Sequence, residues 1–321
     1  QFSVPNFLKK FKISTNEIKA IFIANIHLTI IPNIFKYYNN NIKIIRFPET
    51  TMICASKKEN PYLQYNSNWN YIHGDVFLFS TKSNKDYFFG FKKEDVKFPI
   101  IYINFFRFEK WWVDKISKIR NSKKKNSYFT ILVVMRNPDN ETLHVESFKE
   151  TISTIMKVAG EIDDCKIIFK THPHKGYQKL FLDILSNFNR NLWQIKNNHI
   201  FKLSKEVDMC ISMITSACFD SIACNTETIE YFNVKKELAR TKNLVKCQHM
   251  IKTNKDHVKW ETIFSAKNFL STASDYNSLK KLILEIKYKG KNVNNFKYFK
   301  RYITKNNNPT SKVYKELVKM L

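Results

Sequence analysis

Residues 166–176 read KIIFKTHPHKG, an apolar run from Ile167 to Phe169 that passes directly into a basic turn containing Pro173 and Gly176. A short β-branched and aromatic run bounded by turn residues is a buried strand. Proline fixes the backbone after His172, and Gly176 lets the chain turn into the amphipathic stretch that follows. The same alternation repeats outward from here. Strands are predicted at 128–134, 166–170, 199–202, 209–212 and 227–231, and helices at 143–160, 177–188, 216–224 and 275–287. Strands and helices in succession, joined by short loops, make a parallel sheet covered on both faces. The first half carries the pattern more faintly, with strands at 21–25, 42–47, 75–79 and 100–103 and a helix at 109–119. Residues 120–127, RNSKKKNS, hold no apolar position and form the best linker. The expected fold is therefore α/β, with Rossmann-like domains at 1–122 and 123–290 and helices in 291–321 packing back.

With 321 residues, 43% of them hydrophobic, the chain can build two ordinary cores. No apolar run approaches the roughly 18–20 uncharged residues of a membrane helix, and the start at Gln1 shows no signal-type sequence, so a cytoplasmic enzyme is expected. Six cysteines without a Cys-x-x-Cys pair read as buried thiols, which excludes a zinc ribbon or a disulfide framework. Against 28 acids stand 54 Lys and Arg, a net charge of +26 that seeks an anionic partner. A phosphate-bearing donor, an acidic glycan, the inner leaflet and nucleic acid all satisfy it.

Ligands of open parallel sheets sit beyond the carboxyl ends of strands, and the candidate residues are those found there. His172 follows the strand at 166–170, flanked by Lys170, Pro173 and Lys175. It can hydrogen-bond a phosphate and, protonated, stabilise a departing one. The bland alternative is a loop histidine beside a turn proline. Next, DMCISMITSACFDSIA (208–223) runs from a strand into a hydroxyl-rich turn, Ser212, Thr215 and Ser216, with Thr215 or Ser216 as expected N-cap. Capping alone would explain those hydroxyls. Asp139 follows the strand at 128–134, beside Arg136 and Thr142, where a nucleophile or general base is wanted; it would equally serve as a cap. Glu230 ends the strand at 227–231 and can accept from a ribose diol, or simply pair with a lysine. In the first half, His27 and Glu49 follow strands and are candidate acceptor-side groups; His73 and Asp75 flank Gly74. No Walker, G-x-G-x-x-G or His-Glu-x-x-His pattern occurs, nor an Asp-x-Asp cluster, so no catalytic metal and no cofactor is expected.

Taken in order, the loop around Asp139, the strand followed by KTHP, and VDMCISMITSACFDSIACNTETIEYF (207–232) resemble the donor half of bacterial capsule and lipopolysaccharide glycosyltransferases. The pattern is nearest to the Kdo transferases of capsule synthesis, and bacterial sialyltransferases share the His-Pro and Ser/Thr elements. The resemblance covers about 128–235 and implies a GT-B architecture, with an acceptor domain in the first half and a nucleotide-sugar donor domain in the second. It implies that His172 binds the nucleotide phosphate, that Ser212, Thr215 and Ser216 complete that site, and that Asp139 acts in catalysis. Arg136-Asn137-Pro138 departs from the usual glutamine-led loop, and Asn225-Thr226-Glu227 stands where Gly-Lys-Pro is common.

The expected function is transfer of a CMP-activated ulosonic acid, Kdo or sialic acid, to a glycan or glycolipid acceptor, on the cytoplasmic side and in peripheral contact with the anionic membrane surface. One alternative is a CDP-polyol transferase of the teichoic-acid type. Another is a nucleic-acid-binding protein, against which the basic residues are spread along the whole chain and no binding motif appears. A third is an inactive relative kept as an assembly subunit.

Overall fold

The computed structural model describes residues 14–23, 30–47, 53–64, 74–89, 98–103, 106–109, 111–112, 114–115, 128–139, 141–171, 176–253, 259–290, 297–298, 301–302 and 310–320. His27, Glu49, His73, His172, Pro173, Lys175 and the linker at 120–127 lie outside these residues, as does most of the helix expected at 109–119. The chain forms two compact units. One holds Gln1–Met52, Tyr65–Phe106 and Ile303–Leu321; the other holds Ile53–Gln64 and Arg107–Tyr302. The division therefore falls at several places along the chain rather than at one linker.

The first unit contains a four-stranded parallel sheet in the order β1 (Ala20–Ile23), β2 (Lys43–Arg46), β3 (Val76–Phe79), β4 (Ile100–Tyr102), with α1 (Ile30–Tyr38) after β1 and α2 (Lys82–Phe89) after β3. All four β3 residues are buried, as a strand covered on both faces requires. Asp75 is structural: its Oδ2 accepts the Ile44 amide at 2.7 Å and pairs with Lys36 at 3.1 Å, pinning β2 to the start of β3.

In the second unit, β5 (Phe129–Val134) leads into α3 (Val145–Gly160), β6 (Cys165–Lys170), α4 (Gln178–Leu185), β7 (Trp193–Ile195) and α5 (Ile200–Glu206). Then come β8 (Met209–Ser212), α6 (Cys218–Ala223), β9 (Glu227–Tyr231) and α7 (Val234–Arg240). An antiparallel hairpin, β10 (Met250–Thr253) and β11 (Lys259–Thr262), precedes α8 (Ile263–Ala266), β12 (Ser271–Ala273) and α9 (Tyr276–Lys289). The six parallel strands lie in the order β12-β9-β8-β5-β6-β7, the 3-2-1-4-5-6 arrangement of a dinucleotide-type fold read from the far end. Ile131, Leu132 and Val133 are wholly buried in succession, because helices cover both faces. On one face Leu132, Val134, Ile168 and Cys210 pack against Ile200, Leu203 and Val207 of α5 and its end.

The strand expected at 199–202 is instead the start of α5. Ile200, Phe201, Leu203 and Ser204 are buried, a helical spacing, and His199 caps them by accepting the Phe201 amide on Nδ1 at 3.3 Å. The third strand is the shorter β7. The last helix, α10 (Thr310–Met320), belongs to the first unit, where Val313 and Leu317 are buried against Ile45, Val76, Leu78, Ile101 and Ile103.

Candidate functional site

The register of the second sheet sets the candidate residues in one row. Lys170 pairs with Val134, Val134 with Ser212, Ser212 with Glu230, and Glu230 with Thr272. Register partners on parallel strands face the same side of the sheet, so Lys170, Ser212 and Glu230 share a face near the carboxyl ends. They span three strand spacings of about 4.8 Å each. The chain leaves β5 and β8 toward opposite sides of the sheet. That switch point is where such folds bind ligands.

Arg136 ties the two loops there together. Its Nη1 donates to the Ile214 carbonyl at 3.3 Å, and its Nη2 donates to Thr142 Oγ1 and Asp139 Oδ2, each at 3.0 Å. Ile214 is buried at φ +45°, a left-handed conformation that costs a β-branched residue on the order of 1–3 kcal/mol and persists only where the surroundings enforce it. Asp139 is engaged on both oxygens. Oδ2 meets Arg136, while Oδ1 accepts the amides of Glu141, Thr142 and Leu143. Burial raises its pKa, but the Arg136 charge and the amide bonds outweigh burial and hold the carboxyl below its ordinary value. It does not cap α3; His144 does, accepting the Glu146 amide.

The turn after β8 is tight. Ser212 Oγ donates to the Thr215 carbonyl at 3.3 Å, and Thr215 Oγ1 accepts the Ala217 amide at 3.4 Å. α6 begins at Cys218 with Ala217 at the cap and no side-chain cap, so the expected capping by Thr215 or Ser216 is corrected. Both residues lie in the turn before the helix.

Beside this turn lies a cluster with two members that strand-end reasoning passed over. Arg107 donates through Nε and Nη2 to the two oxygens of buried Asp220, on the first turn of α6, and its guanidinium lies 5.5 Å from the Phe201 ring centroid. Lys170 and Arg107 both act electrostatically on Asp220, and both depress the pKa of His199, behind the larger effect of burial. Burial also lowers Lys170, which Asp220 partly restores. Two cations thus act on a single carboxylate at the carboxyl end of the sheet, a local excess of positive charge suited to a phosphate, with a neutral His199 beside the cations. Arg107 gave no signal because it lies in an aromatic run, FFRF, after the faint strand at 100–103, with no motif around it. His199 was hidden by the strand assignment.

Glu230 is 1% exposed, not a surface partner of a lysine; Thr262 Oγ1 donates to its Oε2 at 2.5 Å. Burial raises its pKa to about 8, against the opposing bond from Thr262. Among the described residues, no group of three or more His, Cys, Asp or Glu is arranged to hold a metal ion, and no helix is long and apolar enough to cross a membrane.

No protein-family model and no curated protein matches this chain. Solved structures do. HepE of Anabaena in complex with UDP and glucose is 10% identical, the match covering 98% of this chain and 80% of that one with a TM-score of 0.52. Trehalose 6-phosphate synthase from Burkholderia multivorans is 8% identical over 96% and 74% of the two chains, TM-score 0.49. S. aureus MnaA with UDP is 8% identical over 90% and 74%, TM-score 0.48. At such identities the likeness to HepE shows the fold, which is the α/β, parallel-sheet architecture of GT-B glycosyltransferases.

Proposed function

We propose that the protein is a glycosyltransferase that takes a sugar from a nucleotide-activated donor bound at the carboxyl ends of β5, β6, β8 and β9. The single observation behind this reading is the row formed by Lys170, Ser212 and Glu230 beside the switch point, with Arg107 and Arg136 adjoining it. The donor phosphate lies against Lys170, Arg107 and the Ser212–Thr215–Ser216 turn, with His172 and Pro173, which follow Lys170 and Thr171 in the sequence, as further phosphate-binding residues. These cations stabilise the charge that develops on the leaving phosphate, and Arg107 is held by Asp220 before the reaction begins, which is what makes such stabilisation effective. Asp139 is a positioning residue in this scheme: its carboxylate shapes the β5–α3 loop and holds Arg136 against Ile214.

The donor we favour is a CMP-linked ulosonic acid, Kdo or sialic acid, since an anionic sugar suits a chain of charge +26 and CMP departs without a metal. The acceptor is then a glycan or glycolipid of a bacterial surface polysaccharide, and the basic surface suits peripheral contact with an anionic leaflet. The test is calorimetric titration of CMP, CDP, UDP and GDP into the wild type, Lys170→Ala and His172→Ala. Selective binding of a cytidine nucleotide, weakened tenfold or more by either substitution, is expected. If none of the four binds at millimolar concentration, the reading is wrong.

A further inference from the structure

A cavity of about 650 Å³ opens beside Glu230 within the second unit, walled by Phe232, Trp260, Thr262, Lys235 and Lys259. That is the size of a small-molecule site. Glu230 is wholly buried, and its Oε1 is one of two buried side-chain polar atoms among the described residues that have no hydrogen-bond partner. A buried polar atom left unpaired is costly, and a ligand that pairs with it recovers the loss.

The hydrogen bonds around Thr262 locate the proton on this carboxyl. Thr262 Oγ1 accepts the Ser265 amide at 3.2 Å, so its own hydrogen is directed to Glu230 Oε2. Oε2 is thereby the acceptor oxygen, and in the neutral acid the proton resides on Oε1. Burial keeps Glu230 neutral at pH 7, with a pKa of about 8. What Glu230 holds on Oε1 is therefore an unpartnered O–H donor on an uncharged group. Lys259 on the wall is paired with Glu261 of the same wall at 2.7 Å, Lys235 adds a further cation, and Trp260 and Phe232 offer apolar, aromatic surface.

We propose that this cavity takes the base of the nucleotide and that Glu230 is the residue that reads it, donating from Oε1 to a ring nitrogen or carbonyl oxygen. This inference rests on the nucleotide-donor reading above and changes the expected role of Glu230, from an acceptor for ribose hydroxyls to a donor for the base. Thr262 is a positioning residue, since it fixes which oxygen keeps the proton.

The experiment compares CMP with ribose 5-phosphate, which has the sugar and phosphate but no base, on wild type, Glu230→Gln and Glu230→Met. Glutamine can accept from Thr262 with its oxygen and donate into the cavity with its nitrogen. The proposal expects Glu230→Gln to keep the ratio of the two affinities within about twofold, and Glu230→Met to lower it about tenfold or more, as befits a lost buried hydrogen bond. Ribose 5-phosphate affinity should be the same in all three proteins, which also shows that the variants are folded. A glutamine variant as impaired as the methionine one means that the carboxylate charge is needed, and overturns the proposal. If the wild type binds CMP no better than ribose 5-phosphate, or if neither substitution alters the ratio, the base is not read by Glu230 and the inference falls while the phosphate site stands. If neither compound binds the wild type, both readings fall.

Discussion

Arg107 grips Asp220 with two parallel hydrogen bonds, Nε to Oδ1 at 2.6 Å and Nη2 to Oδ2 at 2.7 Å, across 113 residues of sequence. The aspartate is buried and the arginine is 39% exposed on its side chain. Removing Arg107 leaves a buried carboxylate facing no guanidinium, which for a fully buried pair costs roughly 3–5 kcal/mol. The partial exposure of Arg107 reduces this to about 2–3 kcal/mol. Arg107→Ala should lower the urea midpoint accordingly, and Arg107→Lys should not restore it, because a point charge cannot reproduce the fork. An unchanged midpoint would sink the idea that the pair holds α6 in place.

Glu230 predicts how stability changes with pH. Its folded pKa, about 8, lies above its ordinary 4.5 because of burial, so the native state keeps the proton that the unfolded state has released. The stabilisation is complete below about pH 4.5 and is lost as pH rises through 8. Relative to Glu230→Gln, the wild type should lose up to about 1.4 kcal/mol per pH unit across this window. Denaturation of both proteins at pH 5, 7 and 9 checks it; a constant difference would mean that Glu230 is ionised in the native state.

His249 behaves in the opposite sense. Burial, and after it the charge of Arg136, depress its pKa to about 3, and its Nδ1 lies 3.1 Å from the Ile53 carbonyl, to which the neutral ring donates. A depressed histidine contributes stability above its unfolded pKa of about 6.5, lost as pH falls toward 3. NMR titration of the imidazole should show no midpoint for His249 between pH 8 and 4.5. A midpoint near 6 would place the ring in solvent.

For Asp139 the decisive contrast is between turnover and stability. Asp139→Asn keeps an oxygen for the loop amides and gives up the Arg136 ion pair, so a stability loss of about 1–2 kcal/mol is expected, with kcat lowered by no more than about tenfold. A loss of about a thousandfold or more at unchanged stability would make Asp139 the nucleophile instead.

How much of this the sequence disclosed follows from which segments announce themselves. β5, β6 and β8 are apolar runs ended by polar turns, so their positions, and with them Lys170 and Ser212, were legible; β9 reads ETIEY, and it and Glu230 were legible from their place in the strand–helix alternation. β10, β11 and β12 read MIKT, KWET and STA. They alternate too briefly to be recognised, and the Trp260–Thr262 side of the Glu230 cavity stayed hidden with them. The apolar pair Ile200 and Phe201 fits strand or helix equally, and only the burial of Leu203 and Ser204 decides for the helix. Pairing between Arg107 and Asp220 leaves no local trace, because it depends on tertiary structure alone.

The burial of Val313 and Leu317 in the sheet of the first unit bears on how the chain is made. On the ribosome, β1 to β4 emerge early, yet the helix that seals one face of their sheet arrives after the whole second unit has been synthesised. The second unit, whose strands need only residues 53–302, can therefore be the first to finish folding. Until α10 emerges, Ile45, Val76 and Ile101 lack part of their cover, and the core of the first unit is closed only when residues 310–320 have been made.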